Sequence, residues 1–283
     1  MRYSRKATRW LEFICILGFC LGGQGCERMQ TFPDNPLTDI QTIILGHRGG
    51  GFFDRGNTLE GCIYGFQHAG GIECDIQKSK DETLWLDHSN KLLPCGVLAE
   101  ACFSETSDSR IEEYNRCLGE DARFYMLDTV LAFMKKYYPD KFISLDAKAW
   151  SPCNISELNM IREMNMLGKA IADAAKKHGL ARQIMVESEN GDLLYYLKVN
   201  APEISTYLST NGDFELGVSR ALKAGFTGIS FKFKYDEEIT KEHVEMIHRK
   251  GLKIQVWTVD EPDDMLEALG LNPDFIQTNN LQQ

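Results

Sequence analysis

A repeating alternation of short β-rich runs with helix-patterned segments constrains this chain more than any other feature. Eight strand candidates recur over about 240 residues: Thr42–Leu45, Gly71–Ile76, Phe142–Ala147, Gln183–Glu187, Ile204–Leu208, Gly228–Phe231, Lys253–Val259 and Phe275–Gln277. Helical patterns lie between them, over Thr58–Ala69, Leu127–Tyr138, Ile155–His178, Asp192–Lys198, Phe214–Ala224, Lys241–Arg249 and Pro262–Leu269. Gly179 gives a stop signal behind the longest of these. Strands separated by helices run parallel, so the class is α/β and the expected fold is a (β/α)8 TIM barrel, although a doubly wound open sheet would show the same alternation. The rhythm breaks once. After a short extension at Thr83–Leu86, residues 89–121 are polar and cysteine-bearing, and read as a small insertion with Ser104–Ser109 as an exposed tip.

The N-terminus differs from the rest. Arg2, Arg5, Lys6 and Arg9 precede a short apolar run from Phe13 to Leu21 and the turn-prone Gly22-Gly23-Gln24-Gly25, the pattern of an export signal over residues 1–25. Cys26 then resembles the acylated cysteine of a bacterial lipoprotein, with Gly23 where a leucine is usual. Residues 26–40 read as a polar tether and 41–283 as the barrel. The expectation is an exported protein of the bacterial cell envelope or periplasm, attached to the membrane if Cys26 is lipidated. No apolar run reaches the ~20 residues that span a bilayer, which excludes an integral helical membrane protein.

The net charge is −10; loss of residues 1–25 removes four positive charges and one negative, leaving −13. Such a field repels nucleic acid and anionic lipid, so no nucleic-acid partner is expected, and any phosphate ester bound here needs a metal ion or a local cationic cluster. Six cysteines lie beyond the N-terminal region, and export permits them to form disulfides. Cys95, Cys102 and Cys117, clustered in the insertion, are the expected bridging residues. Cys62 and Cys74 sit in apolar patterns and read as buried thiols. No pair has zinc-ribbon spacing.

Catalytic residues of a barrel lie where strands pass into the following loops. Strand one runs into Gly46-His47-Arg48-Gly49-Gly50-Gly51, which places an acid/base, a cation and accessible backbone N–H groups together; a solvated basic pair in a turn would read the same way. Strand two carries Glu73-Cys74-Asp75. The period-2 rule puts the two carboxylates on one face, about 7 Å apart, with Cys74 toward the helices. The apolar flanks Ile72 and Ile76 argue for burial, and buried carboxylates repel unless a cation lies between them or a proton is shared. Oxygen-only ligands suit Mg²⁺ or Ca²⁺. Leu145-Asp146-Ala147-Lys148 adds a third oxygen ligand and a cation on the same face, and His88 follows the β-rich Leu84-Trp85-Leu86. Two histidines and three acids at strand ends compose a diesterase site, the metal neutralising charge and the histidines moving protons. His68, His178, His243 and His248 fall on helical patterns and read as solvated or capping residues.

In this combination the chain resembles the glycerophosphodiester phosphodiesterase family. The similarity runs through Gly46-His47-Arg48-Gly49, Asn57-Thr58, Ile72-Glu73-Cys74-Asp75-Ile76-Gln77, Lys80-Asp81 to His88, Leu145-Asp146-Ala147-Lys148 and Val256-Trp257-Thr258-Val259. The resemblance implies a barrel that hydrolyses a small-molecule glycerophosphodiester to glycerol phosphate and an alcohol with a divalent cation. It implies His47 and His88 as the acid/base pair, Arg48 and Lys148 as substrate contacts, Glu73, Asp75 and Asp146 as metal ligands, and Trp257 as an aromatic lining the pocket. It also implies a route in which the substrate's neighbouring hydroxyl attacks phosphorus and water opens the cyclic phosphate. Four positions depart from the family pattern. Gly56 stands for the acid before Asn-Thr, Ser89 for the Asp after the second histidine, and Asp146 for a Glu. Thr278-Asn279-Asn280 stands for Thr-Asp and reads as a structural variation. The first three keep two other readings open: a catalytically degenerate barrel that binds ligands in the envelope, and a diesterase for a different phosphodiester.

Overall fold

The computed structural model describes residues 41–50, 55–120, 122–148, 153, 156–210, 214–234 and 239–282. The expected export signal, Cys26 and the tether lie outside the described residues. β1 (Ile43–Gly46) and α1 (Leu59–His68) lead into the long β2 (Gly71–Lys78). Then come β3 (Leu84–Leu86), β4 (Lys91–Leu92), β5 (Ala101–Cys102), α2 (Asp108–Leu118) and β6 (Tyr125–Met126). The repeat resumes with α3 (Leu127–Tyr137), β7 (Phe142–Ala147), α4 (Glu157–His178), β8 (Ile184–Ser188), α5 (Gly191–Asn200) and β9 (Ser205–Thr210). It ends with α6 (Phe214–Ala224), β10 (Gly228–Lys232), α7 (Lys241–Arg249), β11 (Lys253–Trp257), α8 (Pro262–Leu271) and β12 (Phe275–Thr278).

Eight of these strands close on themselves. β1 pairs in parallel with β12 on one side and β2 on the other, and β7 to β11 complete the ring, so the sheet is a (β/α)8 barrel and not an open doubly wound sheet. Closure gives every strand an inner and an outer face. Along β2, Ile72, Cys74 and Ile76 pack outward into the helix layer with Ile143, Leu145, Ile184 and Val186. Inside, a lower layer of Leu45, Met185, Tyr207 and Phe275 fills the barrel floor. Above it the inward residues turn polar although they remain buried: Glu73, Asp75, Ser144, Glu187, Ser230, Gln255 and Gln277. That change from apolar floor to polar upper layer marks where the chemistry sits.

The β1–α1 turn is held by two close approaches. Gly49 adopts φ +92°, and a Cβ there would lie 2.8 Å from the Cys62 backbone nitrogen; a Cβ on Gly65 would lie 2.0 Å from the Gly49 carbonyl oxygen. The first turn of α1 is fixed by Thr58, whose hydroxyl accepts from the Gly61 N–H at 3.0 Å. Cys62 of α1 then meets Cys74 of β2, Sγ to Sγ 3.6 Å, as two buried free thiols.

The insertion departs from its sequence reading at its tip and adds two features to it. It has a small core of its own, with Trp85, Leu92, Phe103, Ile111, Tyr114 and Phe124 buried together. Ser104–Ser109 is not an exposed tip: Thr106 is buried, and Asp108 starts α2 while accepting from Trp85 Nε1 at 3.0 Å. Cys95, Cys102 and Cys117 all form bridges, as expected: Cys95 joins Cys117, and Cys102 joins Cys153 in the segment that follows β7. The second bridge therefore ties the insertion to the loop leaving the strand that bears Asp146. Replacing both Cys102 and Cys153 by serine is expected to lower unfolding free energy by about 2–4 kcal/mol, read as an earlier urea midpoint; an unchanged midpoint would contradict a structural bridge.

Two helical histidines also depart from their reading. His178 and His248 are not solvated; they pair with Asp128 at 2.8 Å and Asp274 at 2.9 Å, binding helix ends to neighbouring elements. His243 does cap, closing a reciprocal box with Thr240 at the start of α7, and His68 is exposed.

Candidate active site

At the C-terminal end of the barrel strands the chain turns sharply after β1. Arg48 adopts φ +53°, a left-handed conformation that costs a residue other than glycine about 1 kcal/mol or more. The turn brings the Arg48 backbone N–H to Glu73 Oε2 at 2.8 Å, while the side-chain Nε reaches Asp75 Oδ2 at 3.2 Å. Gly56 makes this possible. A Cβ at that position would lie 2.6 Å from Arg48 Cβ, so the departure Gly56 is the space in which Arg48 rests.

Asp75 is the most tightly held acid of the group. Asn57 Nδ2 donates to its Oδ2 at 2.9 Å, and the Asp75 N–H returns a bond to Asn57 Oδ1 at 3.0 Å. Lys148 Nζ lies 2.9 Å from Oδ1 and also contacts Asp146 Oδ2. Strand register explains the convergence: Asp75 is level with Asp146, and Asp146 with Glu187, across three adjacent strands. Glu73 and Asp75 are each only 1 % exposed, so neither points to bulk water. Glu73, Asp75 and Asp146 each offer an oxygen within 4.8 Å of the others. Oxygens sharing one Ca²⁺ or Mg²⁺ lie at most about 4–5 Å apart, and a set of carboxylates alone is what hard cations take. The donor set fits such an ion.

The histidines share this mouth. His47 Nε2 is 3.7 Å from Glu73 Oε2, and its Nδ1 is 2.9 Å from Asn279 Oδ1. His88 stands on the segment that leaves β3, exposed toward solvent, where Asp75, Lys148 and Arg48 act on its charge. Trp257, half-buried at the end of β11, has the same inward parity as Gln255. All eight residues singled out from the sequence thus belong to one end of the barrel.

The electrostatics show an excess of buried negative charge. Burial first, then the charges of Asp75, Glu187 and Asp146, pushes Glu73 well above the usual carboxylate range. Burial and Glu187 push Asp146 up to about 8, against the pull of Lys148. Burial also pushes Asp75 upward, but Lys148, Arg48 and the Asn57 bond outweigh it and hold this acid below its ordinary value. Burial lowers His47, and partial enclosure of the ring, with the charges of Lys148 and Arg48 nearby, lowers the more exposed His88, so both imidazoles are favoured in the neutral form.

Several contributors were not among the residues singled out. Glu187 lies beside the acids on the next strand, level with Asp146, accepting from Gln277 Nε2 at 2.7 Å and from the Ser230 hydroxyl, with Gln255 Nε2 bonded to Ser144 Oγ at 3.1 Å nearby. A carboxylate ending a β-rich run was the available signal. Asp87 receives Arg55 Nη2 at 3.0 Å and the Ser89 N–H at 3.2 Å, bracing the segment that bears His88. Asn279, read as a structural variation, instead touches His47.

Comparison with known proteins agrees with this picture. A model of the "Glycerophosphoryl diester phosphodiesterase family" matches residues 47–283. No curated protein matches the chain in sequence. Among solved structures, a Silicibacter pomeroyi protein described as a glycerophosphoryl diester phosphodiesterase superposes with TM-score 0.71 at 18% identity, covering 86% of this chain and 91% of its own. A glycerophosphodiester phosphodiesterase from Parabacteroides distasonis gives 0.69 at 19% identity, with 86% and 94% covered. An Oleispira antarctica phosphodiesterase, in complex with the product sn-glycerol-3-phosphate, gives 0.67 at 17% identity, with 85% and 93% covered. At these identities the structural likeness establishes the barrel.

Proposed function

The chain belongs to the glycerophosphoryl diester phosphodiesterase family of phosphoric diester hydrolases, and on that premise we propose that it hydrolyses a small glycerophosphodiester to glycerol 3-phosphate and an alcohol. The observation that carries the reading is the meeting of Glu73, Asp75 and Asp146 with Arg48, Lys148 and two imidazoles at one mouth of the barrel. A site of ionised acids alone would repel a phosphate diester; here two fixed cations, Arg48 and Lys148, stand among them. The Oleispira phosphodiesterase, which shares the fold, binds the product expected of this reaction.

Glu73, Asp75 and Asp146 would hold the cation, Mg²⁺ or Ca²⁺, which supplies charge neutralisation at the phosphate oxygens. Arg48 and Lys148 orient the diester by charge-assisted hydrogen bonds, and Trp257 walls the alcohol side of the pocket. One imidazole, in its favoured neutral form, takes the proton of the attacking glycerol hydroxyl while the other, in its protonated form, gives one to the leaving alcohol oxygen. The two roles then reverse as water adds to the cyclic phosphate and opens it to glycerol 3-phosphate. Because the nucleophile is the substrate's own hydroxyl, the chain needs no serine or cysteine nucleophile. The departures at Gly56 and Asp146 do not dismantle the site: Gly56 seats Arg48, and Asp146 stays within the acidic cluster. The export pattern of residues 1–25 supports an envelope location, with Cys26 as the candidate lipid attachment.

The test is a panel of glycerophosphodiesters assayed for glycerol 3-phosphate release with Mg²⁺, with Ca²⁺ and with chelator. Cation-dependent release from at least one of them is expected. Binding without turnover across the panel would overturn hydrolysis and leave the degenerate barrel.

A further inference from the structure

The loops that follow β11 and β12 lie side by side, the Val259 N–H donating to the Gln277 carbonyl at 2.9 Å. This brings Asp260 against Asn279 in a two-point clamp. Asp260 Oδ1 accepts the Asn279 backbone N–H at 2.8 Å, and Oδ2 accepts Asn279 Nδ2 at 2.9 Å. An ionised carboxylate only accepts hydrogen bonds, so the amide edge facing it must be the NH₂ edge. The carbonyl edge, Oδ1, is then left to face His47 Nδ1 at 2.9 Å. A carbonyl oxygen cannot donate, so the imidazole nitrogen opposite it must carry the hydrogen. Nε2, turned toward Glu73 Oε2, becomes the nitrogen through which protons are exchanged.

We infer that Asn279 and Asp260 are positioning residues that lock His47 in its Nδ1–H tautomer, with Asp260 acting through the amide of Asn279. The inference rests on the proposed role of His47. Removing the charge of Asp260 reverses the logic at each link. An amide at 260 keeps one oxygen for the Asn279 backbone N–H, but then sets its own NH₂ against the Asn279 NH₂. Two donors cannot pair, so the Asn279 amide turns over and presents a donor to His47, which favours the opposite tautomer. Exchanging the two residues restores every link: a carboxylate at 279 accepts from Nδ1–H and from the amide at 260, whose oxygen still accepts the backbone N–H.

The decisive variants are therefore Asp260→Asn, Asn279→Asp and the two together, read by steady-state kinetics and by ¹⁵N NMR of the His47 ring. Each single substitution is expected to lower kcat by about ten- to a hundredfold with little change in KM, the range found when a group that orients a site histidine from behind is lost. The combined variant is expected to recover most of that loss and the Nδ1–H signature. Wild-type kcat and tautomer in Asp260→Asn, or a folded combined variant no better than either single one, would overturn the inference. So would an Nε2–H resonance in the wild-type protein, a measurement that needs neither turnover nor a variant. Failure of the proposed hydrolysis shows instead as absent turnover with the Nδ1–H signature intact.

Discussion

His47→Ala is expected to retain the fold and lose about three orders of magnitude in kcat, within the span that a positioned acid/base contributes. The side chain is partly exposed at the barrel mouth and, among the described residues, hydrogen-bonds to Asn279, so its removal opens a solvent-reachable space, not a sealed cavity, and leaves no unpaired charge. The melting temperature should therefore move little while the rate collapses. KM should stay close to its wild-type value, because Arg48 and Lys148 bind the diester. Added imidazole should restore part of the rate by diffusing into the vacated volume. His88→Ala should produce a loss of similar size, since an in-line displacement has an attacking oxygen and a leaving oxygen on opposite sides of phosphorus and each needs its own proton carrier. Turnover of His47→Ala within tenfold of wild type would exclude the acid/base assignment.

The barrel was legible in the sequence because parallel strands are buried on both faces and stand out as runs of Ile, Val and Leu between helical patterns. Closure was not, since it depends on β1 pairing with both β2 and β12, and nothing local in Ile43–Gly46 records two neighbours. Glu73 and Asp75 were legible as charges interrupting an apolar run. Glu187 was harder to see, because its partners Ser230 and Gln277 come from two other strands and their register is a tertiary fact. The same holds for Cys102 and Cys153, 51 residues apart and joined only when the insertion folds over the end of β7. Ser104–Ser109 looked like solvent-facing chain because composition alone does not reveal that the Asp108 carboxylate has Trp85 to satisfy. Asn279 was recognised as a departure from the family pattern, but a neutral amide carries no sign of whether it faces an imidazole or water.

Glu73→Gln separates the cost of the buried acids from their use. In the cation-free protein Glu73 is forced well above its ordinary range by burial and by Asp75, Glu187 and Asp146, so ionising it opposes folding. A glutamine of the same shape can still accept the Arg48 N–H and removes that repulsion. The chelator-treated variant should therefore melt higher than chelator-treated wild type. With a divalent cation the order should reverse. Saturation at about a hundred times Kd adds roughly 2.7 kcal/mol to a protein that keeps its ligands, some 5–10 °C for a chain of this size, and little to one that has lost an anionic donor. Activity should fall with the lost cation response. pH sharpens the comparison. An acid whose folded value is raised, as Asp146 is to about 8, contributes most to stability below its unfolded value near 4 and loses that contribution as pH climbs through 8. Chelated wild type should accordingly weaken as pH rises from about 4 to about 8 and level off above that, and added cation should cancel the decline because it takes the ionised ligands. Equal melting temperatures with and without cation across that range, in wild type and variant alike, would mean that the three acids hold no metal.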